Sequence, residues 1–163
     1  MGVWFLSIKK ENSFSDYVKI YLEDDIQNRG IILNREVEVR GKFADIHIDA
    51  TSNDDTEGYK VLKVIIESKG CWNPGINDSM ESQLLNKYLK GSDCQNGIYL
   101  VGWFNCDKWD DEDPKKKNAR RLVGENKDIY LNVLKTRASK LSKDGICLKS
   151  FILDASIKDT YTI

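Results

Sequence analysis

Hydrophobic and polar residues alternate along the first half of the chain with the two-residue period of β-strands. Three such segments follow one another with short connections, which predicts an antiparallel meander. They are Ile31–Arg40, Phe43–Ala50 and Tyr59–Lys69. A polar, acidic loop is expected from Ser52 to Gly58, between the second and third strands.

Side chains two residues apart in a strand point the same way, so Glu67 and Lys69 should project side by side. Asp45 is expected on the polar face of the neighbouring strand. We expect Glu67 and Lys69 at a solvent-facing strand end, with apolar residues in the core behind the three site residues. Those core residues are Ala44, Ile46, Leu62, Val64 and Ile66.

Helical spacing of apolar residues predicts three helices, and two further apolar runs predict strands. In chain order these are a helix over Ser13–Asn28 capped by Ser13 or Ser15, a helix from Asn73 and Pro74 to Lys90, a central strand over Ile98–Phe104, a helix over Asn126–Leu141 and a strand over Ile146–Leu153. The order predicts an α/β fold, a mixed sheet flanked by helices, in one domain spanning residues 1–163.

Composition narrows the class of protein. The 163 residues carry a net charge of −1, and no apolar run is long enough to span a bilayer. Met1–Ile8 resembles a first strand or packing arm rather than a signal peptide, so a cytoplasmic protein without a membrane partner is expected. Four scattered cysteines and a single histidine argue against a structural zinc site or a disulfide framework.

Two carboxylates at the ends of neighbouring strands suit Mg²⁺, which binds one or two carboxylates together with water and phosphate oxygens. The pattern Asp45…Glu67-Ser68-Lys69, on successive strands, resembles the motif of the PD-(D/E)XK nuclease superfamily, the restriction-endonuclease-like fold. The predicted order of elements resembles its αβββαβ core. Ala44 stands where the motif name has Pro.

The resemblance implies a metal-dependent phosphodiesterase that cleaves DNA with Mg²⁺ or Mn²⁺. It implies metal ligation by Asp45, Glu67 and the backbone carbonyl of Ser68, with Lys69 positioning the water. Gln83 on the following helix is a further catalytic candidate, by similarity to RecB-like nucleases. Tyr88 does not carry over, because it follows Gln83 by five residues instead of four.

Several other residues are weaker candidates for the site. An acid of the first helix, Glu11, Asp16 or Glu23, could supply another ligand, and His47 could carry a proton. Trp72 is either a lid over the core or a base-stacking residue. A basic run that follows acidic residues 107–113 is either a solvated loop or a nucleic-acid-binding surface. It consists of Lys115, Lys116, Lys117, Arg120 and Arg121.

Alternatives to a DNA endonuclease remain. An RNA nuclease would use the same site, and a catalytically inactive nucleic-acid-binding or assembly module would keep the same fold. The segments Lys69–Asn73, Gln83–Leu89 and Gly97–Phe104 also resemble bacterial nuclease-like effector domains, some of them linked to defence against foreign DNA. That resemblance implies a regulatory domain or protein as a partner. The oligomeric state is not predicted.

Overall fold

The computed structural model describes residues 11–26, 31–39, 42–54 and 58–156. The segment Met1–Ile8, predicted as a first strand or packing arm, lies outside these residues. The elements are α1 (Glu11–Ile26), β1 (Ile31–Val39), β2 (Lys42–Asp54), β3 (Gly58–Gly70), α2 (Met80–Leu89), β4 (Asn96–Trp103), α3 (Pro114–Val123), α4 (Lys127–Leu141) and β5 (Cys147–Asp154).

The five strands form one mixed sheet in the order β1-β2-β3-β4-β5. The first three pair antiparallel, as the predicted meander requires. Strands β3, β4 and β5 then run parallel, and the connections between them contain the helices. The predicted α/β fold with a mixed sheet and flanking helices is confirmed.

The register of β2 against β3 confirms which side chains share a face. Ile46 lies opposite Ile66, and Ile48 lies opposite Val64. Both strands are longer than predicted, so the expected loop Ser52–Gly58 is wrong in its bounds: β2 continues to Asp54 and β3 begins at Gly58. Leu62 was expected in the core, but it is exposed because it lies toward this distal end of the hairpin.

Helices cover both faces of the sheet, and the side chains of α1 and α2 come close to the backbone of β4 at two glycines. A Cβ at Gly102 would lie 2.8 Å from the Phe14 ring of α1, and a Cβ at Gly97 would lie 2.7 Å from Leu89 of α2. Positions five apart in a strand point to opposite faces, so α1 and α2 pack on opposite sides. Only glycine leaves enough room for either helix at this distance.

Two predicted helix starts are wrong. Helix α1 begins at Glu11, and Ser15 is buried within it instead of capping it. Pro74 does not start α2, because the Asn73 side chain accepts a hydrogen bond from the Gly75 amide and forms a turn first. The helix then begins at Met80 and ends, as expected, just before a glycine with positive φ, Gly91.

Helix α3 was predicted as a charged loop, and this prediction is wrong. Asp113 caps the helix by accepting a hydrogen bond of 2.9 Å from the Lys115 amide, and Pro114 occupies its first turn. Its inward face carries only Lys116, Ala119 and Val123, so the apolar pattern is too sparse to indicate a helix.

Helix α4 confirms the predicted segment, with Asn126 as its cap. Tyr130, Leu134 and Ala138 are buried toward the sheet. Ile129 and Val133 belong to the same helical pattern of apolar residues but are 64% and 51% exposed, because the buried face is narrower than that pattern.

Candidate active site

Strands β2 and β3 separate at the end where the predicted site residues lie. The first residues of β2 pair with β1, as in Val39 opposite Lys42, while the described pairing with β3 starts only at Ile46 and Ile66. Asp45 and Glu67 are the next residues beyond that last pair. They therefore project from the same face of the sheet, at the point where the ladder opens.

The Asp45 carboxylate fills the gap between the two strands. Its Oδ2 accepts hydrogen bonds from the Ser68 amide, at 2.8 Å, and from the Ser68 hydroxyl, at 2.9 Å. The Ser68 hydroxyl also lies 2.7 Å from Ser15 Oγ in α1. Since Ser68 has one hydroxyl proton and gives it to Asp45, the Ser15 hydroxyl is the donor in the second bond. Helix α1 thus holds Asp45 in place through two buried serines.

Glu67 and Lys69 form an ion pair of 2.7 Å between Oε1 and Nζ. The Glu67 side chain is 1% exposed and that of Lys69 is 7% exposed. The expectation that both face solvent at a strand end is wrong. Strand β3 has β2 and β4 on its two sides, and α2 packs over this face, so the end of the strand is inside the protein.

Helix α2 brings a further residue to these charges. Burial raises the pKa of the Tyr88 hydroxyl, and the negative charges of Glu67 and Asp45 raise it further, while Lys69 opposes them. Tyr88 therefore lies within electrostatic range of all three predicted site residues. Its hydroxyl accepts a hydrogen bond of 2.9 Å from Lys87. Neither residue was predicted as part of the site.

Tyr88 was not predicted as a site residue because α2 is a π-helix, whose residue spacing differs from that of an α-helix. Its backbone bonds join residues five apart, as from the Lys90 amide to the Leu85 carbonyl at 2.9 Å. A five-residue spacing is about one turn of such a helix, so Gln83 and Tyr88 lie on neighbouring turns. The spacing that excludes Tyr88 from an α-helical motif is the spacing that a π-helix needs.

Gln83, the predicted catalytic residue of this helix, is half-buried. No hydrogen bond joins its side chain to another residue in the described part of the chain. The structure therefore supports Tyr88 as a neighbour of Asp45, Glu67 and Lys69 better than it supports Gln83.

Asp45 and Glu67 are the two carboxylates of the predicted metal site. Asp45 Oδ2 is occupied by Ser68, while Oδ1 makes no hydrogen bond to a described residue. Glu67, on the same face of the sheet, is the second carboxylate, and Mg²⁺ sites in proteins commonly use one or two. Within residues 11–26, 31–39, 42–54 and 58–156, no group of three or more histidine, cysteine or acidic side chains is placed to hold a metal ion.

Three of the remaining ligand candidates, His47, Asp16 and Glu23, have side chains that the structure describes. His47 shares the face of Asp45, but its Nε2 lies 3.7 Å from Asp49 Oδ1. Glu23 forms an ion pair with Lys19, and Asp16 is exposed on α1. The side chain of Glu11 lies outside what the structure describes.

The basic run lies on α3, where nearby carboxylates neutralise most of it. Lys116 is 1% exposed, and its ammonium bonds to Asp111 Oδ1 and to the Trp109 carbonyl. The interpretation of Lys116 as a phosphate contact is therefore wrong, because it is a buried structural cation. Arg120 also pairs with Asp111, at 3.4 Å.

The other three basic residues are more accessible than Lys116. Lys117 pairs with Glu112 at 2.8 Å and stays 59% exposed. Arg121 donates to Asn118, and Lys115 lies 5.0 Å from the centroid of the Trp72 ring.

Trp72 itself is a core residue. It is 7% exposed, and its ring lies 4.9 Å from that of Phe104 and 6.0 Å from that of Trp109. A Cβ at Gly70 would lie 2.6 Å from the same ring. Of the two interpretations of Trp72, the lid over the core is the one the packing supports.

The four cysteines are free thiols in the structure. Burial raises the pKa of the Cys71 thiol to about 11, so this thiol stays protonated at neutral pH. Cys94 is also buried, whereas Cys106 is half-buried and Cys147 exposed.

Residues 5–106 match a family described as "Domain of unknown function (DUF8371)". The matched span contains Asp45, Glu67 and Lys69 and ends before α3. No curated protein and no solved structure matches the chain. Within its described residues, the structure has no helix of the length and apolarity that crossing a membrane requires.

Proposed function

The chain belongs to the DUF8371 family, and we propose that it is a metal-dependent nuclease that hydrolyses phosphodiester bonds in DNA. One observation carries the proposal: Asp45, Glu67 and Lys69 come from two strands that separate at this point, and they share one face of the sheet. The order of helices and strands through β4 supports a restriction-endonuclease-like core. Under this proposal the enzyme is cytoplasmic, where it meets nucleic acid.

Asp45 and Glu67 would hold Mg²⁺ or Mn²⁺, with the Ser68 carbonyl as the third protein ligand. When bound, the metal would polarise the scissile phosphate and lower the pKa of a coordinated water. Asp45 is already held by the Ser68 amide and hydroxyl, so its carboxylate would need little reordering.

Lys69 has two roles in this proposal. Its ammonium offsets the charge of the buried Glu67 carboxylate. It would also orient the attacking water and stabilise the charge that develops on the phosphate. Tyr88, within range of the same charges, supplies a hydroxyl at the side of the site that α2 covers.

One observation favours a second candidate, an inactive module that binds nucleic acid or assembles with a partner. The Glu67–Lys69 pair is buried, and an ion pair closed in this way can serve structure alone. Asp45, which is half-buried, is the most exposed of the three residues. Substrate would therefore approach from its side.

The test is incubation of the purified protein with plasmid DNA, single-stranded DNA and RNA, with Mg²⁺, Mn²⁺ or EDTA. The proposal expects cleavage of DNA with either metal and none in EDTA. Glu67→Gln protein, purified in the same way, controls for contaminating nucleases. Cleavage that continues in EDTA would contradict the mechanism. Binding without cleavage under every condition would favour the inactive module, and cleavage of RNA alone would move the substrate to RNA.

A further inference from the structure

Lys87 places a second cation beside the candidate site. It lies in the last turn of α2, half-buried, and its Nζ donates to the Tyr88 hydroxyl at 2.9 Å. The same Nζ lies 4.8 Å from the centroid of the Tyr88 ring. Since Tyr88 is 2% exposed, the ammonium is held against a fixed, buried group.

Several other lysines of the protein form ion pairs with carboxylates. Lys63 pairs with Asp93, Lys117 with Glu112 and Lys127 with Asp154. In the part of the chain that the structure describes, no carboxylate lies within ion-pair distance of Lys87. Among the described residues, its one hydrogen-bond partner is the neutral Tyr88 hydroxyl. A partly desolvated ammonium with such a partner is an incompletely satisfied cation, which an anion would stabilise.

The position of this cation suits a polyanionic ligand. Helix α2, which carries Lys87 and Tyr88, packs against both β2 and β3, the strands of Asp45, Glu67 and Lys69. The charges of these three residues act on Tyr88, so Lys87, bonded to Tyr88, borders the same charged centre. Two carboxylates repel a phosphate backbone, and a nearby cation offsets that repulsion. The cations of α3 are largely committed to local carboxylates, so they do this less well.

We propose that Lys87 is a phosphate-binding residue, contacting the nucleic acid backbone beside the cleaved bond. This inference rests on the proposed function and adds a binding contact to it. Tyr88 acts as the positioning residue, because its hydroxyl accepts the Lys87 hydrogen bond and fixes the direction of the ammonium. The contact is sequence-independent, since it reads the phosphate and no base edge.

The test is binding of fluorescein-labelled single-stranded and duplex DNA, measured by fluorescence anisotropy with Ca²⁺ replacing Mg²⁺. Lys87→Met keeps the aliphatic stem and removes the charge. We expect a loss of affinity of about tenfold, the size of one charged hydrogen bond. The slope of log affinity against log salt should become less negative by about 0.7 for single strands and about 0.9 for duplex.

Three further variants separate a phosphate contact from a structural role. Lys87→Arg keeps the charge and should restore affinity and slope. Tyr88→Phe keeps the buried ring and should weaken binding by less than Lys87→Met does. Lys140→Met, an exposed lysine in the last turn of α4, is the matched control and should bind like the wild type.

The outcomes distinguish this inference from the proposed function. Wild-type affinity and slope in Lys87→Met, in a protein that still cleaves DNA, would overturn the role of Lys87 alone. Equal losses in Lys87→Met and Lys87→Arg, with lower melting temperatures, would overturn it in favour of a structural role. A wild-type protein that neither binds nor cleaves nucleic acid would overturn both.

Discussion

The buried ion pair at the end of β3 should be essential for stability as well as for activity. Lys69→Met removes an ammonium 2.7 Å from a carboxylate that is 1% exposed, and it keeps most of the volume of the side chain. Removing one partner of a buried pair costs about 3–5 kcal/mol, because the other charge stays desolvated. Glu67→Gln keeps an oxygen for Lys69 and should cost less, about 1–3 kcal/mol.

The double variant Glu67→Gln/Lys69→Met should lose less than the sum of the two single losses, because no unpaired charge remains. Urea unfolding at neutral pH, followed by far-ultraviolet circular dichroism, gives the three free energies. Lys63→Met is the control on the same strand. Its partner Asp93 is 76% exposed, so a much smaller loss is expected than for Lys69→Met. A Lys69→Met loss no larger than that of the control would refute the buried pair.

Two further predictions concern charges away from the site. Lys116→Met should lower the free energy of unfolding by about 1–3 kcal/mol, because the buried Trp109 carbonyl loses its hydrogen-bond donor. In the same urea titration, Lys117→Met should change the free energy of unfolding by at most about 0.5 kcal/mol. Burial disfavours the Asp154 carboxylate, but hydrogen bonds from Lys127 and Ser156 outweigh burial and lower its pKa from 3.8 to about 2. A lowered folded-state pKa stabilises the protein above pH 4, and this stabilisation is lost as the pH falls toward 2. The free energies of unfolding of Asp154→Asn and the wild type should therefore differ by about 1 kcal/mol at pH 5 and converge near pH 2. A difference that stays constant with pH would contradict the assignment.

The face shared by Asp45, Glu67 and Lys69 could be predicted because it depends only on strand period and pairing direction. Alternation in β2 and β3 fixes which side chains point together, and a short connection fixes the antiparallel order. Register therefore followed from local sequence. The burial of Glu67 and Lys69 did not, because it depends on β4 and α2, which are far along the chain.

The two helices near the site show a different limit. The α-helical period does not bring Tyr88 onto the face of Gln83, whereas the wider turn of a π-helix brings the two residues onto neighbouring turns. Helix α3 has few apolar positions and is stabilised by a cap and by Lys116, whose burial no hydrophobic pattern indicates. Both helices depend on tertiary contacts with other parts of the chain, which a local sequence pattern does not indicate.

Asp45 offers the most direct test of the proposed nuclease. Asp45→Asn keeps a carbonyl oxygen to accept the Ser68 hydrogen bonds, so the fold should persist while the metal-binding charge is lost. Asp49→Asn removes a half-buried carboxylate from the same face of the same strand and is the matched control. The measurement is the rate of plasmid cleavage with Mg²⁺ by each folded variant. We predict a loss of at least about a hundredfold for Asp45→Asn and a near wild-type rate for Asp49→Asn. A folded Asp45→Asn protein that cleaves at the wild-type rate would contradict the account.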